Sequence, residues 1–257
     1  MNKGNRILLI CMALLFLYGL GIFLLPTLYG LHTDSSTQKK AEEFYDYVET
    51  LVTADPTVSS QADSEVVSTY PSSNEPVFPE LLEAMERYNQ RIYLEKQAGL
   101  CDPWAYQQPS FDLTEFDVPD GIIGVLSIPA LDAEFPIYLG ATSANMAKGV
   151  VHLSQTSLPI GGINTNCVLA GHRGWNGADF LRYIENLQVG DRVTVTNLWG
   201  EMVYEATEIR IIEPNDVDQI LIQEGKDLLT ILTCHPYASG GKQRYVVYCE
   251  RVEKGEQ

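Results

Sequence analysis

The sequence predicts a mainly β protein, a closed or nearly closed mixed barrel interrupted by short helices and preceded by an apolar N-terminal helix and amphipathic helices. Three observations carry this. From Ile122 onward, at least seven short runs rich in β-branched and aromatic residues alternate with turn signals. No regular strand–helix–strand repeat accompanies them, which excludes a doubly wound parallel sheet. Ahead of them, the first 30 residues contain no acid and run uncharged from Ile7 to Tyr29.

That first run makes a helix of roughly 35 Å, longer than the roughly 30 Å hydrocarbon core of a bilayer and longer than a signal-peptide core. No Ala-x-Ala site follows, so residues 1–30 read as a cytoplasmic tail and an uncleaved transmembrane anchor. Pro26 and Gly30 leave a cleaved signal as the alternative. Lys39 and Lys40 partly cancel the orienting effect of Lys3 and Arg6, and the short tail favours an external C-terminus. Residues 31–54 carry Phe44, Tyr47, Val48, Leu51 and Val52 at the spacing of one helical face, capped by Ser35 or Ser36, and are expected to project from the membrane as a helical stalk. Residues 55–79 are Ser, Thr, Pro and Asp with few large apolar groups, a flexible linker. Residues 80–120 open with an amphipathic helix from Glu80 to about Gln97, whose stripe of Leu81, Leu82, Met85, Tyr88, Ile92 and Tyr93 reads as core packing. Cys101-Asp-Pro-Trp104 and a polar, proline-containing loop follow.

The barrel occupies residues 121–257. Its expected strands are Gly124–Pro129, Phe135–Tyr138, Asn166–Ala170, Arg192–Thr196, Met202–Ile212, Leu228–Cys234 and Tyr245–Val252. Ser143–Lys148 and Gly177–Asn186 are expected as helices, and Asp216–Gln223 as a further turn.

Beyond residue 30 the balance is 15 basic against 34 acidic side chains. Such a surface repels nucleic acid and anionic lipid, so the catalytic part is expected to stand away from the membrane; acidity that only maintains solubility is the plainer alternative. Four cysteines follow the apolar segment: Cys101, Cys167, Cys234 and Cys249. With Cys234 free, three remain, which argues against a disulfide scaffold, and Cys167 and Cys249 read as buried structural thiols. Cysteine and histidine spacings fit no zinc site, so neither metal nor cofactor is expected.

The chemistry concentrates near the C-terminus. Leu228–Thr233 and Tyr245–Val247 form two strands joined by a loop holding Gly240 and Gly241, which sets Cys234 at a strand end. An antiparallel return brings Arg244 opposite Cys234, where a guanidinium can lower a thiol pKa or hold an oxyanion. Of the four histidines, His32 borders the apolar segment, and His235 adjoins Cys234 with its ring expected to turn away from the sulfur. His172, in Ala170-Gly-His-Arg-Gly174, ends the Asn166–Ala170 strand. If that strand runs parallel to Leu228–Cys234, His172 lies beside Cys234. Arg173 is expected to face elsewhere, and Arg251 lies roughly 23 Å farther along its strand.

Ala170-Gly-His172-Arg-Gly, Thr233-Cys234 and Arg244 together resemble the catalytic set of the sortases, membrane-anchored cysteine transpeptidases of Gram-positive bacteria. Gly149-Val-Val-His-Leu-Ser-Gln-Thr-Ser-Leu-Pro-Ile-Gly161 and Asp102-Pro103-Trp104 resemble the pilus-assembling class C group. The likeness spans roughly Leu81 to Glu253. It implies a barrel of about eight strands on the outer face of the cell membrane, anchored by a single-pass N-terminal helix. It further implies attack by Cys234 on the Thr-Gly carbonyl of a Leu-Pro-x-Thr-Gly-like sorting signal, with His172 as acid and base and Arg244 holding the oxyanion or the substrate backbone. The partners implied are pilin or surface proteins bearing that signal. The acceptor is a pilin lysine, or a cell-wall precursor in a housekeeping-type enzyme. Asp102, Pro103 and Trp104 would form a lid, Asp102 facing Arg244 through an exposed pair of at most about 1 kcal/mol, with Trp104 over Cys234 and His172. Cys101 would then come near enough to Cys234 for a reversible disulfide. Three features depart from the pilus pattern: no hydrophobic segment after Glu253, His-Pro-Tyr where Thr-Pro-Tyr is common after the cysteine, and the long linker. A non-catalytic, membrane-tethered binding domain with an incidental buried Cys234 is the competing class of function.

Overall fold

The computed structural model describes residues 3–53, 76–106, 108–116 and 118–252. Most of the expected linker and the last five residues lie outside the described residues. Helix α1 (Lys3–Thr53) is continuous through Pro26, so anchor and stalk form one rod. It is long and apolar enough to cross a membrane. Its C-terminal half does not stand free as a stalk: Ala41, Phe44 and Val48 are buried against the barrel. Helix α2 (Pro79–Leu94) buries Leu81, Met85, Tyr88 and Ile92, the spacing of its apolar stripe.

The barrel begins with β1 (Ile122–Ile128), which turns through Pro129–Leu131 into β2 (Ala133–Leu139). A single turn of helix α3 (Ser143–Met146), capped by Thr142, leads to β3 (Val150–His152) and β4 (Thr165–Ala170). After a hairpin of β5 (Arg173–Trp175) and β6 (Ala178–Phe180), the chain continues through β7 (Arg192–Asn197), β8 (Gly200–Ile212), β9 (Asp227–His235) and β10 (Gln243–Arg251). Eight strands close in the order β1-β2-β3-β4-β9-β10-β8-β7. Closure leaves no edge strand, and Leu126, Ile137, Leu169, Ile231 and Val247, which share one face of the sheet by register, are essentially inaccessible, as are Val125 and Val168 on the other face.

Two sequence expectations are corrected. Gly177–Asn186 is not a helix. Asn176 (φ 49°) and Gly177 (φ 90°) form the two central residues of a tight turn, Trp175 pairs with Ala178, and only Ile184–Asn186 coils, as a 3-10 turn. Positive φ at both central positions is what a two-residue hairpin turn demands, and Asn-Gly meets it with least strain. Val150–His152, not expected as a strand, pairs parallel with β2 and antiparallel with β4 and completes the barrel. Asp216–Gln223 contains a 3-10 turn, Val217–Ile220.

Two pairings position the site. β4 and β9 run parallel, with Ala170 beside Leu232, so both strands deliver their following residues to the same end of the barrel. β10 returns antiparallel to β9 with Arg244 directly across from Cys234.

Candidate active site

Strand β9 ends in a polar clamp. Thr233, fully buried, donates its hydroxyl to the Gly171 carbonyl at 2.7 Å, and the Gly171 amide donates to Leu232 at 3.2 Å. Two chains locked across one another this way fix the loop bearing His172 against the end of β9. Gly171 allows the approach, since a Cβ there would stand 3.0 Å from Leu181 and 3.2 Å from Val150.

His172 is buried among rings. It stacks on Trp175 at 4.6 Å and 11°, and meets Phe180 and Trp104 edge-on at 6.2 and 6.3 Å. Burial holds its pKa below the ordinary histidine value, favouring the neutral ring. Cys234 is half-buried, and its thiol pKa is pushed up to about 11: burial dominates, Asp102 adds to it, and Arg244 and Arg173 oppose it. Arg244 Nη1 stands 3.9 Å from the Cys234 sulfur. The same nitrogen donates to the Gly241 carbonyl at 2.7 Å, which anchors the loop beneath it. Gly241 has φ 77°, and a Cβ there would lie 3.1 Å from the sulfur and 3.2 Å from Arg244 Nη1, so glycine satisfies both the turn and the close approach.

Arg244 also makes a two-pronged ion pair with Asp102, Nε to Oδ1 at 2.6 Å and Nη2 to Oδ2 at 2.7 Å. Asp102 Oδ2 accepts from the Trp104 amide at 3.1 Å, and Pro103 opens the single 3-10 turn Pro103–Ala105. The Trp104 ring then lies over the Arg244 guanidinium, 4.5 Å from Cζ to centroid. This corrects the expectation of an exposed ion pair. The Arg244 and Asp102 side chains are only 6% and 16% exposed, and the two-pronged geometry adds directional specificity to the pair. Cys101 is a free thiol, its Sγ 3.6 Å from the Asp102 carbonyl oxygen.

Cys234, His172, Arg244 and Trp104, with Tyr106, Pro236 and the loop Ala238–Gly241, line one cleft of about 290 Å³. His235, His32 and Arg251 are outside its lining. His235 turns to Arg173, Nδ1 accepting from Nη1 at 2.8 Å, and His32 is exposed on α1. Arg251 lies over the Tyr204 ring. Arg173, expected to face elsewhere, is buried and belongs to the lining of the cleft. It donates to the Cys234 carbonyl at 3.4 Å and pairs with Glu185 at 2.7 Å. Trp175, the stacking partner of His172, went unrecognised in the sequence, although the adjoining Asn-Gly turn marks the hairpin that carries it.

A closed eight-stranded mixed barrel presenting cysteine, histidine and arginine side chains to one cleft defines a class. The Sortase domain family model matches residues 126–252, and the chain belongs to the sortase family. It is 33% identical over 131 residues to Sortase D of Bacillus subtilis, a match covering 50% of this chain and 63% of that relative. It superposes on Sortase C1 of GBS Pilus Island 1 with a TM-score of 0.62 at 31% identity, covering 69% of this chain and 84% of the other. The lid mutant of Streptococcus agalactiae Sortase C1 is also similar, with a TM-score of 0.60 at 30% identity over 68% of this chain and 88% of the other.

Proposed function

We propose that this chain is a membrane-anchored cysteine transpeptidase of the pilus-assembling kind, held closed by a lid of Asp102, Pro103 and Trp104. The observation that carries the reading is the Asp102–Arg244 fork, which places a carboxylate on the arginine opposite Cys234 and a tryptophan between that arginine and His172. Similarity to a pilus-island sortase and to a lid mutant of such a protein supports it.

In the closed form the thiol and the imidazole both favour their neutral states, which suits a resting site. Withdrawal of Asp102 takes a negative charge from the sulfur, admits water and frees the arginine fork, each of which lowers the thiol pKa. With its proton passed to His172, the Cys234 thiolate then attacks the Thr-Gly carbonyl of a Leu-Pro-x-Thr-Gly-like signal, and Arg244 holds the oxyanion. As the C–N bond breaks, His172 as imidazolium protonates the departing amine, leaving a thioester. An acceptor amine attacks that thioester, gives its proton to His172, and releases the thiolate with a new amide bond. The acceptor proposed is a lysine of a neighbouring pilin subunit; a cell-wall precursor is the alternative acceptor.

Incubation with a Leu-Pro-x-Thr-Gly peptide and mass spectrometry test this. The native chain should yield an acyl adduct on Cys234, Cys234→Ala should yield none, and His172→Ala and Arg244→Ala should fall by orders of magnitude with the fold intact. Turnover surviving in Cys234→Ala would remove the assignment. Adding a lysine-bearing pilin domain or a cell-wall precursor then identifies the acceptor.

A further inference from the structure

Helix α1 meets the barrel at defined heights. Its apolar segment is exposed along its length until Pro26 and Gly30, whose backbone touches Gly177 at the β5–β6 turn: a Cβ on Gly30 would lie 2.1 Å from the Gly177 carbonyl group. One turn on, Asp34 accepts from the Asp179 amide at 3.1 Å. Farther along, Thr37 donates to the Lys148 carbonyl at 3.0 Å, and Tyr45 donates to Glu134 at 3.2 Å and meets Thr196 of β7. Fifteen residues of helix separate Gly30 from Tyr45, about 22 Å of rise along α1 between its contact with the β5–β6 turn and its contact with Glu134 and Thr196. The cleft lies toward the Gly30 end of this contact, because His172 stacks on Trp175 of β5.

That end is also where the rings are. Among the described residues, the four exposed aromatic side chains outside α1 are Tyr106, Trp175, Tyr183 and Tyr237, each 45–50% exposed. Tyr106 and Trp175 line the cleft, and Tyr237 lies against Gly174. Tyr183 and Tyr237 both hold Arg182, whose Cζ is 5.4 and 4.8 Å from their ring centroids. Contact with a peptide in the cleft accounts for the first two but not for Tyr183 and Tyr237, which are outside its lining. Rings with a polar tip, clustered at one height beside an arginine, have the composition of a membrane–water interface.

We propose that the mouth of the cleft seats in the headgroup layer of a lipid bilayer, with Trp175, Tyr183, Tyr237 and Arg182 as the contact surface. The substrate would then be a polypeptide emerging from the same leaflet. The inference rests on α1 spanning the membrane, since Ile7–Tyr29 in the hydrocarbon places Gly30 and Gly177 at its boundary. It replaces the expectation that an acidic domain stands away from the lipid. Acidic neighbours such as Asp34, Asp179 and Glu185 at this end make the attraction one of aromatic side chains, not of net charge.

The full chain in phosphatidylcholine vesicles tests it through single-tryptophan variants. Trp104→Phe with Trp199→Phe leaves Trp175. Trp104→Phe with Trp175→Phe leaves Trp199, beside the end of β7. With lipids brominated at the top of their acyl chains, Trp175 should lose about half its emission and Trp199 less than about one-tenth, given a boundary only a few ångströms from one and about 20 Å from the other. Replacing part of the phosphatidylcholine with phosphatidylglycerol should not deepen the quenching. Hydrogen exchange of the unmutated chain supplies a measurement free of substitutions, with slower exchange expected at 175–183 and 237–240 in vesicles than in detergent, and no change at 197–201. A chain that fails to float with vesicles removes the anchor and this inference together. A chain that floats with equal, weak quenching of both tryptophans and no exchange difference removes only the seating.

Discussion

Asp102 and Arg244 carry the residue-scale energetics of the site. Each oxygen of the carboxylate takes one nitrogen of the guanidinium, and neither side chain is well solvated, so the fork fixes the lid's geometry while desolvation of both ions offsets part of their attraction. The same carboxylate raises the Cys234 pKa. With that pKa at about 11, only about one molecule in ten thousand carries a thiolate at pH 7. Asp102→Ala removes both restraints. The rate of Cys234 alkylation at pH 7 should rise by roughly tenfold or more, and its midpoint on a pH–rate curve should move toward the ordinary value of about 8.5. Asp102→Asn, which removes the charge and keeps the shape, should fall between. Equal rates and midpoints in all three proteins would show that the segment does not cover the thiol.

At the scale of elements, the β5–β6 hairpin joins two functions. One side stacks Trp175 on His172; the other receives Pro26 and Gly30 of α1 at Gly177. Gly177 needs its glycine twice over: φ is 90°, and a Cβ would lie 2.0 Å from the Pro26 carbonyl oxygen. Gly190 offers a matched control, with φ 95° and nothing within 4 Å of an added Cβ. Both alanine variants carry the same backbone penalty, of about 1 kcal/mol or somewhat more, but only Gly177→Ala collides with α1. Gly177→Ala should therefore speed hydrogen exchange of the Asp179 amide, whose acceptor is Asp34, and expose the buried face at Ala41 and Phe44. Gly190→Ala should lose comparable backbone stability with α1 still docked. Similar exchange in both would mean that the hairpin does not hold the helix.

The stability of the whole molecule carries a pH term from a residue outside the cleft. His152 is 2% exposed, and its Nε2 donates to the carbonyls of Thr156 and Ser157, both at 3.1 Å. Burial lowers its pKa from 6.5 to about 4, although the two carbonyls oppose the shift. Because the unfolded chain binds this proton more readily, the contribution is complete above pH 6.5 and is lost as pH falls toward 4. It amounts to about 3 kcal/mol, of which about 2 kcal/mol disappears between pH 6.5 and 5. Relief of repulsion among the 34 acidic side chains works in the opposite direction, so the comparison is between variants. Urea midpoints should fall more steeply with acid in the native chain than in His152→Gln, and parallel curves would exclude the histidine as the source.

The sequence by itself determined the elements whose signal is local: the uncharged run of α1, the stripe of α2 and the strand runs. The placement of Arg244 opposite Cys234 was legible from loop length and strand period, whereas that of His172 at the same end depended on the parallel pairing of β4 and β9, which the sequence left conditional. A ten-residue separation across one hairpin put Arg244 opposite Cys234, as the pairing shows. The Asn176-Gly177 turn was equally local, but helical patterning over Gly177–Asn186 masked it; there the φ > 0 that Asn-Gly tolerates outweighs weak periodicity. Other features belong to tertiary structure alone. Whether the Asp102–Arg244 pair, 142 residues apart in the chain, is exposed depends on what lies over it, and Trp104 lies over the guanidinium. Val150–His152 is a strand because β2 and β4 stand on either side to take its hydrogen bonds, a condition that three residues cannot announce. The height at which α1 touches the barrel rests on contacts between Gly30 and Gly177, distant in sequence, and burial and close approach are properties of the assembled surface.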